Sequence, residues 1–89
     1  MLQPSYTKQF ERDLKKSKKR GKNLEKIRVV MELVLMDNGL PQKYKDHLLV
    51  GDYKGRRECH LEPDWLLIYK VDHKLVIFER TGTHADLFD

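Results

Sequence analysis

The chain has 89 residues, a formal charge of +4, 39% apolar residues and 36% charged ones. That length suits one thin-cored domain burying roughly 60–65% of its unfolded surface, and the lack of low-complexity tracts argues against wholesale disorder. No apolar run approaches the ~20 residues of a bilayer span, no basic-then-apolar leader opens the chain, and Cys59 has no second cysteine to pair with, so a reducing cytoplasm is the expected setting.

Residues 2–6 read as a short strand, in which Pro4 lacks an N–H and therefore demands an edge or a bulge. Thr7 is suited to cap a helix that follows it. Phe10 and Leu14, four apart, form that helix's narrow apolar face, and Gly21 interrupts it. Asn23 suits a second cap. Leu24, Ile27, Met31, Val34 and Leu35 then make a helical stripe, stopped by Asp37-Asn38-Gly39 with Pro41 beyond. Residues 1–31 hold ten Lys/Arg against three Asp/Glu, and the remainder holds eight against eleven. The densest run, KKSKKRGK at 15–22, is either a solvated helix end or a footprint for phosphate backbones. Composition leaves both open.

The second half reads as strands. KDHLLV (45–50) ends at Gly51. Residues 56–62 alternate and run into a Pro63-Asp64 turn. WLLIYKV (65–71) is apolar throughout, as a doubly covered central strand requires. Residues 72–74 connect it to LVIFERTG (75–82), and THADLF (83–88) makes one helical turn. The order predicts a two-layer α+β fold over residues 1–89, an N-terminal helical hairpin packed on one face of an antiparallel sheet. No predicted element covers the opposite face, which leaves room for a ligand.

Strand parity puts Cys59 and Leu61 on one side and Glu58, His60 and Glu62 on the other. It likewise puts Arg80 on the side of Val76 and Phe78. His47 opens a strand, Asp64 lies in the turn beside His60, and His84 follows a strand end at which Gly82 permits a bend. Imidazoles titrate near pH 6.5 and can exchange protons at neutrality. A guanidinium fork matches phosphate oxygens, and an exposed ring such as Phe88 can stack a base. Each of these residues also reads as ordinary polar surface. His73 is assigned to a turn, Tyr53 and Tyr69 to packing, and Trp65 to anchoring the hairpin. No CxxC, HxxxH or HExxH spacing is present, and Cys59 and His60 diverge on a strand, so neither a metal nor another cofactor is expected.

The combination of KDH (45–47), GDYKGRRECHLEPDWLLIYK (51–70) and ERTGTHADLF (79–88) resembles the YafQ family of bacterial toxins within the RelE-like superfamily, and the likeness extends over essentially the whole chain. It implies a ribosome-dependent endoribonuclease that cuts mRNA in the decoding site. The reaction implied is a metal-free phosphoryl transfer leaving 2′,3′-cyclic phosphate and 5′-hydroxyl ends. On the family's pattern the catalytic residues are His47, His60, Asp64, Arg80 and His84, with Phe88 and Arg80 binding substrate. Leu48 stands where a proline is common. Lys15, Lys16, Lys18, Lys19, Arg20 and Lys22 become candidates for contact with ribosomal RNA. The implied partners are the ribosome, mRNA and a DinJ-like antitoxin with a ribbon-helix-helix domain that binds DNA as the complex; no membrane is involved. Two rivals share the basic patch: a translation inhibitor that binds without cleaving, and an inactive toxin fold acting with its antitoxin at a promoter.

Overall fold

The computed structural model describes residues 1–88; residue 89, the last of the predicted domain, lies outside the described residues. Five strands form one sheet: β1 (Gln3–Tyr6), β2 (His47–Leu48), β3 (Arg57–Glu62), β4 (Trp65–Asp72) and β5 (Leu75–Gly82). Their spatial order is β1-β5-β4-β3-β2. Strands β2 to β5 are antiparallel, and β1 joins the edge of β5 in parallel. Pro4 sits in that edge strand, where its missing N–H costs the sheet least.

Helices α1 (Lys8–Lys19) and α2 (Leu24–Met36) cover one face. The Thr7 hydroxyl accepts the Phe10 N–H at 2.9 Å and donates to the Glu79 carbonyl at 2.8 Å, so one side chain starts α1 and ties it to β5. Asn23 caps α2 through the Glu25 N–H, and α2 ends at Asp37 with φ 60°. Phe10, Ile27, Val30 and Val34 pack on Cys59, Trp65, Leu67, Tyr69, Val76 and Phe78 to make the main core. Each such fully buried side chain contributes roughly 1.5–3 kcal/mol relative to exposure.

The opposite face is not bare, contrary to the sequence expectation. Leu66 and Ile68 of β4 are buried there under Leu87, with Leu49 and Tyr53 packed around them. The cover is the short helix α3 (His84–Phe88) and the segment after β2. The predicted strand at 45–50 shortens to His47–Leu48, because Lys45 adopts φ 51° and Gly51, at φ 72°, opens a 3₁₀ turn. No helix is long and apolar enough to cross a membrane among the described residues.

Two bulges overturn parity arguments. His60 pairs with Leu66 but Glu62 pairs with Trp65, so Leu61 is the extra residue and Glu62 is turned away from His60's face. Glu62 instead takes Lys22 at 2.6 Å and Lys26 at 2.9 Å, from the helix side. On β5, Tyr69 pairs with Phe78 but Ile68 pairs with Arg80, so Glu79 is extra. Arg80 therefore shares the face of Ile68, not that of Phe78 and Val76. A bulge re-aims the side chains beyond it, and here both bulges do so next to the site.

Candidate active site

β2 and β3 bring the first two imidazoles together, and α3 supplies the third. The His47 and His60 rings lie 6.2 Å apart, and His60 and His84 lie 5.9 Å apart. Phe88 continues the row 6.3 Å from His84, and Tyr53 closes it edge-on to Phe88 at 5.5 Å. The sequence-predicted His47, His60, His84, Asp64 and Phe88 thus meet along one face.

Asp64 holds His84, not His60. Its Oδ1 accepts the His84 backbone N–H at 2.8 Å and lies 2.6 Å from Nδ1. The backbone N–H, and then the ring, hold this carboxyl below the usual carboxylate range. An ionised Asp64 can only accept, so Nδ1 carries the proton in that contact and Nε2 is left for a substrate.

The second carboxylate is Glu58, which sequence reasoning placed on His60's face but gave no role. It is only 4% exposed. Its Oε1 lies 3.3 Å from His60 Nε2 and 3.6 Å from His47 Nε2. No Lys or Arg pairs with it among the described residues, so two imidazoles are its nearest basic neighbours. His47 is turned toward Glu58 because its Nδ1 donates to the Lys45 carbonyl at 2.7 Å. Asp46 staples that loop by accepting the Tyr69 hydroxyl at 2.7 Å and the Arg57 Nε at 3.1 Å.

Arg80 is bound by a buried acid that the sequence did not mark. Nε donates to Asp13 Oδ2 at 2.8 Å and Nη2 to Oδ1 at 3.3 Å, and Asp13 also accepts the Thr81 N–H. The Asp13 carboxylate raises the Arg80 pKa further. Nη1 is the nitrogen not committed to Asp13.

The basic run divides. Lys16 and Arg20 reach Asp86 at 3.3 and 2.6 Å, and Lys22 reaches Glu62. Lys15, Lys18 and Lys19 are exposed and have no carboxylate partner among the described residues. Asp86 also completes a reciprocal cap of α3. It accepts the Thr83 N–H at 3.0 Å, while its own N–H donates to the Thr83 hydroxyl at 3.1 Å. Thus α1 clamps the helix that carries His84 and Phe88. A Thr followed three residues later by an acid is the available sequence signal for this cap. The partnership with Arg20, 66 residues away, has no local signal.

The family profile described as a bacterial toxin of type II toxin-antitoxin system, YafQ, matches residues 2–89. The chain belongs to the YafQ family. An Escherichia coli relative, mRNA interferase toxin YafQ, is 50% identical over 84 residues, 93% of this chain and 91% of that protein. The YafQ fold agrees as well: a crystal structure of an E. coli DinJ-YafQ complex superposes with a TM-score of 0.93 at 47% identity, covering 100% of both chains. A metal-bound toxin from Helicobacter pylori matches with a TM-score of 0.92 at 39% identity over 99% of this chain and 100% of that one. In the present YafQ-family chain no three His, Cys, Asp or Glu side chains converge tightly enough to hold an ion among the described residues. The donors stand as imidazole–carboxylate pairs instead.

Proposed function

We propose that this YafQ-family toxin is a ribosome-dependent endoribonuclease of the bacterial cytoplasm, residues 1–89 acting as one domain, that cuts mRNA in the decoding site. The observation that carries the reading is the row of three imidazoles, served by the two carboxylates Glu58 and Asp64, ending in the Phe88 ring. The chemistry that suits it is attack by a ribose 2′-oxygen on the adjacent phosphorus. One imidazole takes the 2′-proton. The P–O5′ bond breaks as a second imidazole protonates the leaving 5′-oxygen, giving 2′,3′-cyclic phosphate and 5′-hydroxyl ends.

His60 and His84 are the proton-exchanging pair. Each has a carboxylate on one nitrogen, which fixes the ring and stabilises the imidazolium formed in turn. His47 assists from the other side of Glu58. Arg80, oriented by Asp13, offers Nη1 to the charge that develops on the phosphorane. Phe88, 44% exposed, is available to stack a base. An antitoxin resembling DinJ neutralises the toxin, which the E. coli complex supports. Primer extension on a translated message tests the whole reading. Cuts within codons that require ribosomes are expected; intact message with arrested translation would leave a binder, not a nuclease.

Two results follow for the surroundings. Lys15, Lys18 and Lys19→Glu together should lower ribosome affinity about tenfold or more and flatten its salt dependence, since cations released from phosphates set that slope. Cosedimentation across a salt series measures it, with Lys16 left intact because it binds Asp86. Asp86→Ala should unclamp α3 and reduce kcat about tenfold, the scale of a small misplacement of a reacting group, while the sheet stays folded. The Arg20 guanidinium and then the Thr83 N–H hold the Asp86 carboxyl far below its ordinary value. A depressed carboxyl contributes stability above its unfolded pKa of ~3.9 and loses it only as pH falls through the lower folded value. The α3 clamp therefore persists from pH 5 to 8. Amide exchange of residues 84–88 should stay equally protected across that window in the parent and be lost in the variant.

A further inference from the structure

The proposed chemistry leaves a groove beside β3 unexplained. β2 pairs with only Glu58 and Arg57, so the rest of β3 has no strand on its outer edge. The 3₁₀ turn Gln42–Tyr44 and the first turns of α2 stand off from that edge. Between them runs a groove of about 610 Å³ that His60 helps to line. Its size falls within the roughly 300–1,000 Å³ of ligand pockets.

The lining has a mixed character. Tyr44, Val29, Leu61 and Pro63 present apolar surface, and Lys43 and Lys45 stand along the wall. The wall's carboxylates are already paired, Glu62 with Lys22 and Lys26, and Glu25 with Arg28. Lys43 and Lys45 have no carboxylate partner among the described residues. Lys43 Nζ instead lies 5.1 Å from the centroid of the Tyr44 ring. Tyr44 packs in part on the main core and turns its remaining surface to the groove. An aromatic surface beside cations without carboxylate partners is the arrangement that single-stranded nucleic acid uses, bases on rings and phosphates on lysines. The groove also borders the imidazole row. His60 belongs to both, and the Lys45 carbonyl orients His47.

We infer that this groove is a second nucleotide subsite, seating the nucleotide next to the scissile phosphate with its base on Tyr44 and its flanking phosphate on Lys43 and Lys45. The inference rests on the endoribonuclease reading, and it makes residues 43–45 determinants of which sequences are cut.

Two measurements separate the subsite from the reading beneath it. The first uses the His84→Ala protein on ribosomes whose message carries 4-thiouridine beside the codon in the decoding site. Photo-crosslinks are expected at residues 43–45 and to fall about fivefold or more in a Lys43→Glu version. Crosslinks confined to other residues, or none, would overturn the subsite. The second is cleavage by Lys43→Glu and Val29→Glu proteins, two exposed changes away from the imidazoles. KM should rise about tenfold, the scale of one lost base contact, with a smaller change in kcat and an altered base frequency beside the cut. Unchanged KM and base frequency would overturn it, as would weakened antitoxin binding alone, which would mark a peptide seat. A parent protein that crosslinks at 43–45 but never cuts would sink the nuclease reading and leave the groove as an RNA seat.

Discussion

Replacing His84 by Ala should reduce cleavage of ribosome-bound mRNA by roughly 100-fold or more, and His60→Ala should do the same, the ordinary size of a general acid–base contribution. His84 is half exposed at the start of α3, so its truncation opens no core cavity, and Asp64 keeps the backbone N–H that it already accepts. His60 is more enclosed, but its ring faces the imidazole row and not the main core. Neither change touches the exposed lysines of α1, so ribosome cosedimentation should be intact in both. Because the two rings act on one reaction, the double variant should be little worse than either single one. Single-turnover cleavage measures all three. Near-parental activity in either single variant would remove that ring from the chemistry.

Glu58→Gln is the second large effect, and it separates chemistry from folding. The side chain keeps its shape but loses the charge that faces His47 and His60. The amide oxygen can still accept from an imidazole, yet it carries no charge to stabilise an imidazolium. Cleavage should fall by about 100-fold. Stability should not fall, because a buried carboxylate without Lys or Arg is costly to desolvate and its amide is cheaper. Urea denaturation beside single-turnover kinetics distinguishes the outcomes. A loss of stability that matches the loss of activity would make Glu58 a structural residue.

Much of the fold was legible because local chemistry decided it. The caps at Thr7 and Asn23, the stop at Asp37, and the apolar run of β4 all stand where side-chain type and spacing put them. What parity could not reveal were the bulges at Leu61 and Glu79. An inserted residue leaves the alternation of types almost unchanged while reversing the faces beyond it. Glu62 and Arg80 were both assigned to the wrong face for this one reason. Asp13 shows a different limit. On α1 it reads as a solvated acid among lysines, and only the approach of β5 makes it the buried partner of Arg80. Strand-end position marked the imidazoles and Asp64 as candidates, and resemblance gave them catalytic roles. Glu58 emerged from geometry, since its importance lies in the 3.3 and 3.6 Å distances to two rings that are 13 residues apart in the chain.

The most direct test of the account uses a message with a single 2′-deoxynucleotide on the 5′ side of the cleaved bond. Cutting at that position should disappear, because no 2′-oxygen remains to attack, while neighbouring ribonucleotide sites are still cut. A 2′,3′-cyclic phosphate should stand on the upstream fragment of the all-ribose message. Cleavage at the deoxy position at an undiminished rate would contradict this chemistry, and would mean that water or another nucleophile, not the substrate's own hydroxyl, attacks the phosphorus.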